Sequence, residues 1–315
     1  MHTFTKLAIA VACAANFNAA SAQTALAPPT SQHRPHVGCT AETPGLARSA
    51  PPRTWQNGVV YFEFDGNVSS QNRNRTYQAM DELMDTGAAV AFVPRTPGVN
   101  GDDYVHILSG SVNSSAVGRS GGRQDLNMFN WSFRFIIVHE LLHAIGFWHE
   151  QARWDRDTFV TVNTGNIASG SSNNFNRAAI GDWITSSTAY DFESVMHYGE
   201  CAFTNCDPCC PTITVNPPNQ GQQGSIGQRD RLSVLDAQDV RNAYGTGVRA
   251  RYLRPSGSGA GTLSNAYFSI RGMNNSVPSG STVYAFGATY DDGNIIQEIT
   301  EHVVIKPYGG VVTIR

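Results

Sequence analysis

The chain has 315 residues, 41% hydrophobic and 15% charged, a balance that excludes a disordered polyelectrolyte and allows one large domain with a small extra one. The formal net charge of −3 gives no basic surface for a nucleic-acid or polyanion partner. The one long apolar run lies near the N-terminus, and no later stretch is long enough to span a bilayer.

That run reads as an export signal. Lys6 precedes an apolar stretch over 7–15, and Ala20-Ser21-Ala22 forms a small-residue cleavage site before Gln23, so residues 1–22 are expected to be a signal peptide and the mature protein secreted. Residues 23–53 are rich in Pro, Ala, Ser and Thr without helical or strand periodicity, and read as a propeptide or leader. Order begins at the turn Trp55-Gln56-Asn57-Gly58, followed by a strand over 59–64. Tyr77, Met80 and Met84 at helical spacing predict a helix over 72–85 that Gly87 stops. Strands are expected over 90–93 and 104–108. A helix from about Ser132, apolar on nearly all sides (Phe135, Ile136, Ile137, Val138, Leu141, Leu142), is expected to run through the core.

On that helix sits H-E-L-L-H-A-I-G-F-W-H, residues 139–149. His139 and His143 stand four apart and project from one face, so both imidazoles reach one ion. Glu140 is placed beside the metal, in the position of a general base. Gly146 adopts positive φ and ends the helix, letting His149 turn back as a third ligand. Three neutral imidazoles that leave a fourth position open describe a catalytic rather than a structural Zn2+ site, one per catalytic domain.

H-E-x-x-H-x-x-G-x-x-H is the metzincin zinc signature, and the continuation Glu150, Arg153, Asp155, Arg156, Asp157 resembles the astacin family. Residues 194–198, S-V-M-H-Y, resemble that family's Met-turn. The resemblance covers roughly residues 55–245 and implies a two-lobed α+β metzincin fold with the zinc at the floor of a cleft. It also implies that Met196 forms an apolar floor under the ligands. Tyr198 would be a further metal ligand whose phenol can donate to the oxyanion, and Glu140 would pass a proton from the attacking water to the leaving amine. Glu150 would meet the new N-terminus after leader removal. The implied activity is zinc-dependent endopeptidase action on protein or peptide substrates, with residues 117–119 the expected edge for an extended substrate.

The domain scheme that follows is 1–22 signal peptide, 23–53 leader, 54–247 astacin-like catalytic domain and 248–315 a small β-rich domain. Ser233-Val234-Leu235-Asp236 is a capping box opening a helix that Gly245 ends. Beyond it, residues 255–261 (P-S-G-S-G-A-G) read as a flexible linker. Strand-like runs follow over 283–286, 295–299, 303–305 and 311–314, with a hairpin turn at 291–294.

Five cysteines remain after the signal peptide. Cys201, Cys206, Cys209 and Cys210 fall within ten residues and are expected to form two local disulfides, with adjacent Cys209 and Cys210 not paired to each other; a second zinc site is the alternative. The family's usual cross-links to the upper lobe are missing, and Ala89 occupies one such position. Cys39 is left alone in the leader, within about 50 Å of extended chain from Trp55. Its thiolate could fill the open zinc position and keep a precursor latent. The remaining histidines, His33, His36, His106, His197 and His302, read as surface or packing residues. Two other functions fit the pattern less well: a metzincin devoted to one processing event, and a non-catalytic zinc-fold binding module. The second has no use for a base at Glu140. Oligomeric state has no sequence signal.

Overall fold

A computed structural model describes residues 54–178, 189–257, 259–290 and 303–314. The upper part is built from β1 (Val59–Phe64), α1 (Ser70–Met84), β2 (Ala91–Pro94), β3 (Tyr104–Ser109), β4 (Ser114–Ser115) and β5 (Arg123–Met128). These strands form one sheet in the order β2-β1-β3-β5-β4, parallel throughout except for β4, which runs antiparallel to β5. The period of two in β1 turns Val60 and Phe62 inward, opposite Phe92 of β2 and Val105 of β3. Ser69 caps α1 by accepting from the Asn72 N–H at 3.3 Å. One face of α1 (Ala79, Met80, Leu83, Met84) closes over the sheet.

Strands β4 and β5 were absent from the expected set. In β5, Arg123, Gln124, Asp125 and Asn127 outnumber the two apolar residues, so hydropathy carries no strand signal. Gln124 is nevertheless buried, because hydrogen bonds rather than apolar contacts satisfy it.

Next comes α2 (Arg134–Ala144), whose residues 135–144 are all buried. It packs against α1 and shares one hydrophobic core with the sheet. The segment below is poorer in regular structure. It has a two-stranded antiparallel pair, β6 (Val160–Val162) with β7 (Ile213–Val215), and a second core of Val160, Phe175, Tyr190, Tyr198 and Ile213. Helix α3 (Val234–Tyr244) opens on the expected capping box and ends at Gly245, φ 74°.

The C-terminal segment carries strands at the expected 283–286, 303–305 and 311–314 runs but differs in its glycine-rich stretch. It contains β8 (Arg251–Leu253), α4 (Ile270–Asn274), β9 (Thr282–Phe286), β10 (Thr289–Tyr290), β11 (Val304–Tyr308) and β12 (Thr313–Ile314). Strands β11-β9-β8 form a parallel sheet, and β10 pairs with β12. The turn expected at 291–294 and the strand at 295–299 lie outside the described residues. The expected linker is not slack at Gly257, Gly259 and Gly261. The Gly257 N–H donates to Arg254 O at 2.9 Å, Gly259 N–H to Ala266 O at 2.9 Å, and Tyr252 N–H to Gly261 O at 3.0 Å. A Cβ on Gly257 would collide with the Ala266 carbonyl, and one on Gly261 with the Tyr267 ring. These glycines serve close approach rather than flexibility.

Behind them, Ala250, Tyr252, Leu263, Ala266, Tyr284 and Tyr308 belong to the same core as the β1–β5 sheet. The Asp81 carboxylate on α1 accepts from the N–H groups of Leu263 and Ser264, both at 2.9 Å, and from Arg249 at 2.8 Å. Among the described residues, no helix is long and apolar enough to cross a membrane.

Candidate metal centre

Helix α2 presents the zinc motif, and its C-terminal end is fixed from several directions. A helix leaves its last four carbonyls without intrahelical donors. Here all four of residues 142–145 are satisfied. Leu142 O accepts from Phe147 N–H at 3.0 Å, and His143 O from the N–H groups of Gly146 and Gly118, each at 2.8 Å. Ala144 O accepts from the Trp55 indole at 2.8 Å, and Ile145 O from the Tyr244 phenol at 2.7 Å. Gly146, at φ 113°, makes the turn that continues to His149.

The three imidazoles converge. Nε2 of His149 lies 3.2 Å from Nε2 of His139 and 3.1 Å from Nε2 of His143. Nδ1 of His139 donates to Val195 O at 2.8 Å, and Nδ1 of His143 to Phe147 O at 2.7 Å. Those carbonyls accept only, so the ring proton of each sits on Nδ1 and the Nε2 lone pairs face one another. Lone pairs at this separation repel unless a cation lies between them. Tetrahedral zinc with nitrogen ligands at about 2.0–2.1 Å sets neighbouring ligands about 3.3 Å apart, so the donor set fits that ion. Among the described residues this is the one group of three or more side chains able to hold a metal.

Burial holds all three histidines below their ordinary pKa, with the Arg229 charge adding to the effect; His143 falls to about 4. They are neutral, as ligands must be. Glu140, one residue after His139, is fully buried on the same helix.

The expected Met-turn is joined to the ligands through the carbonyls of Val195 and Met196. Met196 is buried in the main core, and its carbonyl accepts from the Glu150 N–H at 3.2 Å. The Tyr198 ring lies against His149, with centroids 4.3 Å apart. The Tyr198 main chain donates to Gln151 Oε1 at 2.9 Å, and its carbonyl accepts from His197 Nδ1 at 2.6 Å. His197 is thus the packing residue, not the surface one, of the two expected alternatives. It is fully buried, and burial lowers its pKa to about 4, so its neutral ring accepts from the Tyr190 hydroxyl through Nε2 at 2.7 Å. His106 lies between Glu63 at 2.9 Å and Asp65 at 3.2 Å on the upper sheet, remote from this network in the hydrogen-bond pattern.

Sequence reasoning missed a second task of the α3 capping box. The Asp236 carboxylate accepts from Ser194 Oγ at 2.6 Å, Val195 N–H at 2.9 Å and Ser233 N–H at 2.9 Å. It thus holds the turn whose Val195 carbonyl orients His139. The capping box was visible in the sequence, but this 41-residue reach was not. Glu150 is buried, and one of its oxygens accepts from Arg153 at 3.2 Å and from Asp191 N–H at 2.9 Å. Burial pushes its carboxyl up to about 8 against the pull of Arg153.

Residues 117–119 do not form the expected strand edge. The antiparallel border strand is β4, a few residues earlier. Gly118 instead turns at φ 72°, donates to His143 O and accepts from Gln124 Nε2 at 3.0 Å, which ties this stretch to the zinc helix. The cysteines pair as Cys201–Cys209 and Cys206–Cys210, and this removes the second-zinc alternative, which needed free thiolates. Cys39 lies outside the described residues, as do His33, His36 and His302.

Comparison with known proteins agrees with this geometry. Residues 47–245 match the family model Astacin (Peptidase family M12A). Over 201 residues the chain is 36% identical to zinc metalloproteinase nas-14 of Caenorhabditis elegans, covering 62% of this chain and 38% of that protein. It is 34% identical to human Tolloid-like protein 1 over 203 residues, 64% of this chain and 20% of that protein. The chain therefore spans well under half the length of these curated relatives. Among solved structures it resembles high choriolytic enzyme 1, a hatching enzyme zinc-protease from Oryzias latipes, with a TM-score of 0.54, 32% identity, and coverage of 65% of this chain and 99% of that one. With a family model matching well over half its length on the residues that build this centre, the chain belongs to the astacin family, peptidase family M12A.

Proposed function

We propose that this chain is a secreted zinc-dependent endopeptidase that hydrolyses peptide bonds in proteins and is made as a latent precursor. The observation that carries this reading is the convergence of three imidazoles, with His149 Nε2 within 3.2 Å of the Nε2 atoms of His139 and His143, beside a base on the same buried helix as the latter two. Zinc held there supplies Lewis acidity toward water and a carbonyl oxygen. Glu140 takes the proton of the attacking water and returns it to the leaving amine. Tyr198, against His149, would be a further ligand of that metal, and on leaving it the phenol would donate to the oxyanion. The substrate backbone extends along β4 at the border of the upper sheet.

Export follows from the apolar N-terminal run and its small-residue cleavage site. Latency is assigned to Cys39, whose thiolate would serve as a further metal ligand until the leader is cut, with Arg48 and Arg53 the candidate cleavage points. The freed amino terminus then meets Glu150, a buried acid that a cation would stabilise.

The test is casein hydrolysis by zinc-loaded protein lacking residues 1–53, beside its Glu140→Gln variant at equal zinc content. Activity that disappears in the variant supports the reading, and equal silence in both refutes a general endopeptidase. Cys39→Ser in the uncut precursor is expected to release activity; a silent precursor removes the cysteine from the scheme.

A further inference from the structure

Tyr198 is held from both sides of its Cα. The peptide before it has its carbonyl, His197 O, accepting from Arg229 Nη1 at 3.0 Å, and its N–H donating to Gln151 Oε1 at 2.9 Å. The peptide after it has its carbonyl accepting from His197 Nδ1 at 2.6 Å. That His197 proton is committed because the other ring nitrogen accepts from the Tyr190 hydroxyl at 2.7 Å. Tyr190 is itself fixed, stacked on Phe159 with centroids 4.6 Å apart and rings 14° from parallel. Gln151 and His197 are fully buried, so water does not compete for these bonds. Gln151 stands two residues after His149, and its bond ties Tyr198 to the turn carrying that ligand.

We propose that Gln151 and the Tyr190–His197 pair are positioning residues for Tyr198. They pin both flanking peptide planes, so the phenol swings by side-chain torsion alone and returns to one place. Without them the main chain of the turn shares in the motion, and the phenol meets the oxyanion in fewer of its conformations. All three are buried, and each acts through Tyr198. The proposal rests on the reading of Tyr198 as a moving phenol, and the experiment separates the two.

Leaderless protein and its Gln151→Met, Tyr190→Phe and Tyr198→Phe variants would be assayed for kcat and KM on a fluorogenic peptide, well below each variant's melting temperature. The same four proteins loaded with Cu(II) would be examined for a phenolate-to-copper charge-transfer band, a readout independent of turnover. Tyr198→Phe is expected to lose kcat by roughly a hundredfold, the scale of one oxyanion donor, and to lack the band. Gln151→Met and Tyr190→Phe are expected to lose kcat by about 3–10-fold, the scale of one buried hydrogen bond, with KM unchanged and the band shifted or weakened. Lower melting temperatures with wild-type kcat and an unshifted band would reduce both residues to packing and overturn the proposal, as would a change in KM alone. Wild-type kcat and band in Tyr198→Phe would instead refute the moving phenol. If Gln151→Met does not fold, Tyr190→Phe, which loses a single oxygen, carries the test.

Discussion

Asp236→Ala tests whether the start of α3 supports the metal centre. The carboxylate accepts three hydrogen bonds, from Ser194 Oγ, Val195 N–H and Ser233 N–H, and all three donors are in buried residues. Leaving the Ser194 hydroxyl without its acceptor costs about 1 kcal/mol. Leaving the Val195 and Ser233 amides without acceptors costs about 1–3 kcal/mol each. Burial raises the Asp236 pKa, so its removal recovers part of a desolvation cost, and the low end of the sum applies: about 3 kcal/mol. Asp236→Asn keeps the shape and one acceptor oxygen, and is expected to cost about half as much. The functional effect is separate. Val195 O orients His139 through its 2.8 Å bond to Nδ1, and loosening such an outer contact weakens metal affinity by about 10–100-fold. Urea unfolding of the metal-free protein gives the first quantity, and competition with a chelator gives the second. Loss of stability with unchanged zinc affinity would refute the link through Val195, and a cost below about 1 kcal/mol would refute the buried-donor reasoning itself.

Asp81→Ala removes the acceptor for Leu263, Ser264 and Arg249, and is expected to destabilise the fold by about 3 kcal/mol and to open the 249–254 arginines to trypsin; unchanged proteolysis would show that the core contacts alone hold the tail. Tyr244→Phe leaves Ile145 O, at the end of the zinc helix, without its donor, and should cost about 1 kcal/mol in urea unfolding. Stability should also fall as pH rises from about 7 to about 8. Burial raises Glu150 to about 8 and Asp239 to about 7, so the folded chain keeps protons that the unfolded chain has released, and the stability present at low pH is lost as pH rises through those values. The zinc histidines and His197, held below their ordinary pKa, oppose the trend around pH 6.5 and below, where the unfolded chain takes up protons that the folded chain does not, so the fall is clearest above pH 7. Glu150→Gln should flatten the slope, and a flat wild-type profile would contradict the assignment.

The zinc helix was legible because two local signals coincide there: ligands at helical spacing and a glycine where the chain must reverse. Gly146 does so at φ 113°, and the three Nε2 atoms meet as the spacing implied. The paired cysteines were legible for a similar reason, since four lie within ten residues. Strand β5 was not, because buried Gln124 is paid for by hydrogen bonds to Gly118 and Ser120 rather than by hydropathy. The glycine-rich stretch at 255–261 misled because composition does not distinguish a glycine that frees the chain from one that lets two segments touch. His197 proved to be the packing rather than the surface residue of the two that its sequence allowed, and its bond to the Tyr190 hydroxyl had no local signal.

What separates the legible from the illegible is the distance over which each polar group is satisfied. The ligands are grouped within eleven residues, but the groups that orient them are not. His139 depends on Val195, Val195 on Asp236, Ala144 on Trp55, and Ile145 on Tyr244, across 41 to 99 residues. Each bond joins a helix end or turn of the metal centre to a segment elsewhere in the chain, so the centre reaches full rigidity only when those segments have folded around it. A peptide of residues 134–149 carries all three histidines and Glu140, yet it lacks every one of these distant partners. It should bind zinc far more weakly than the intact chain, because the cost of ordering three imidazoles then falls on the metal alone. Comparable affinities would mean that the local turn at Gly146 suffices and that the long-range contacts serve stability without shaping the site.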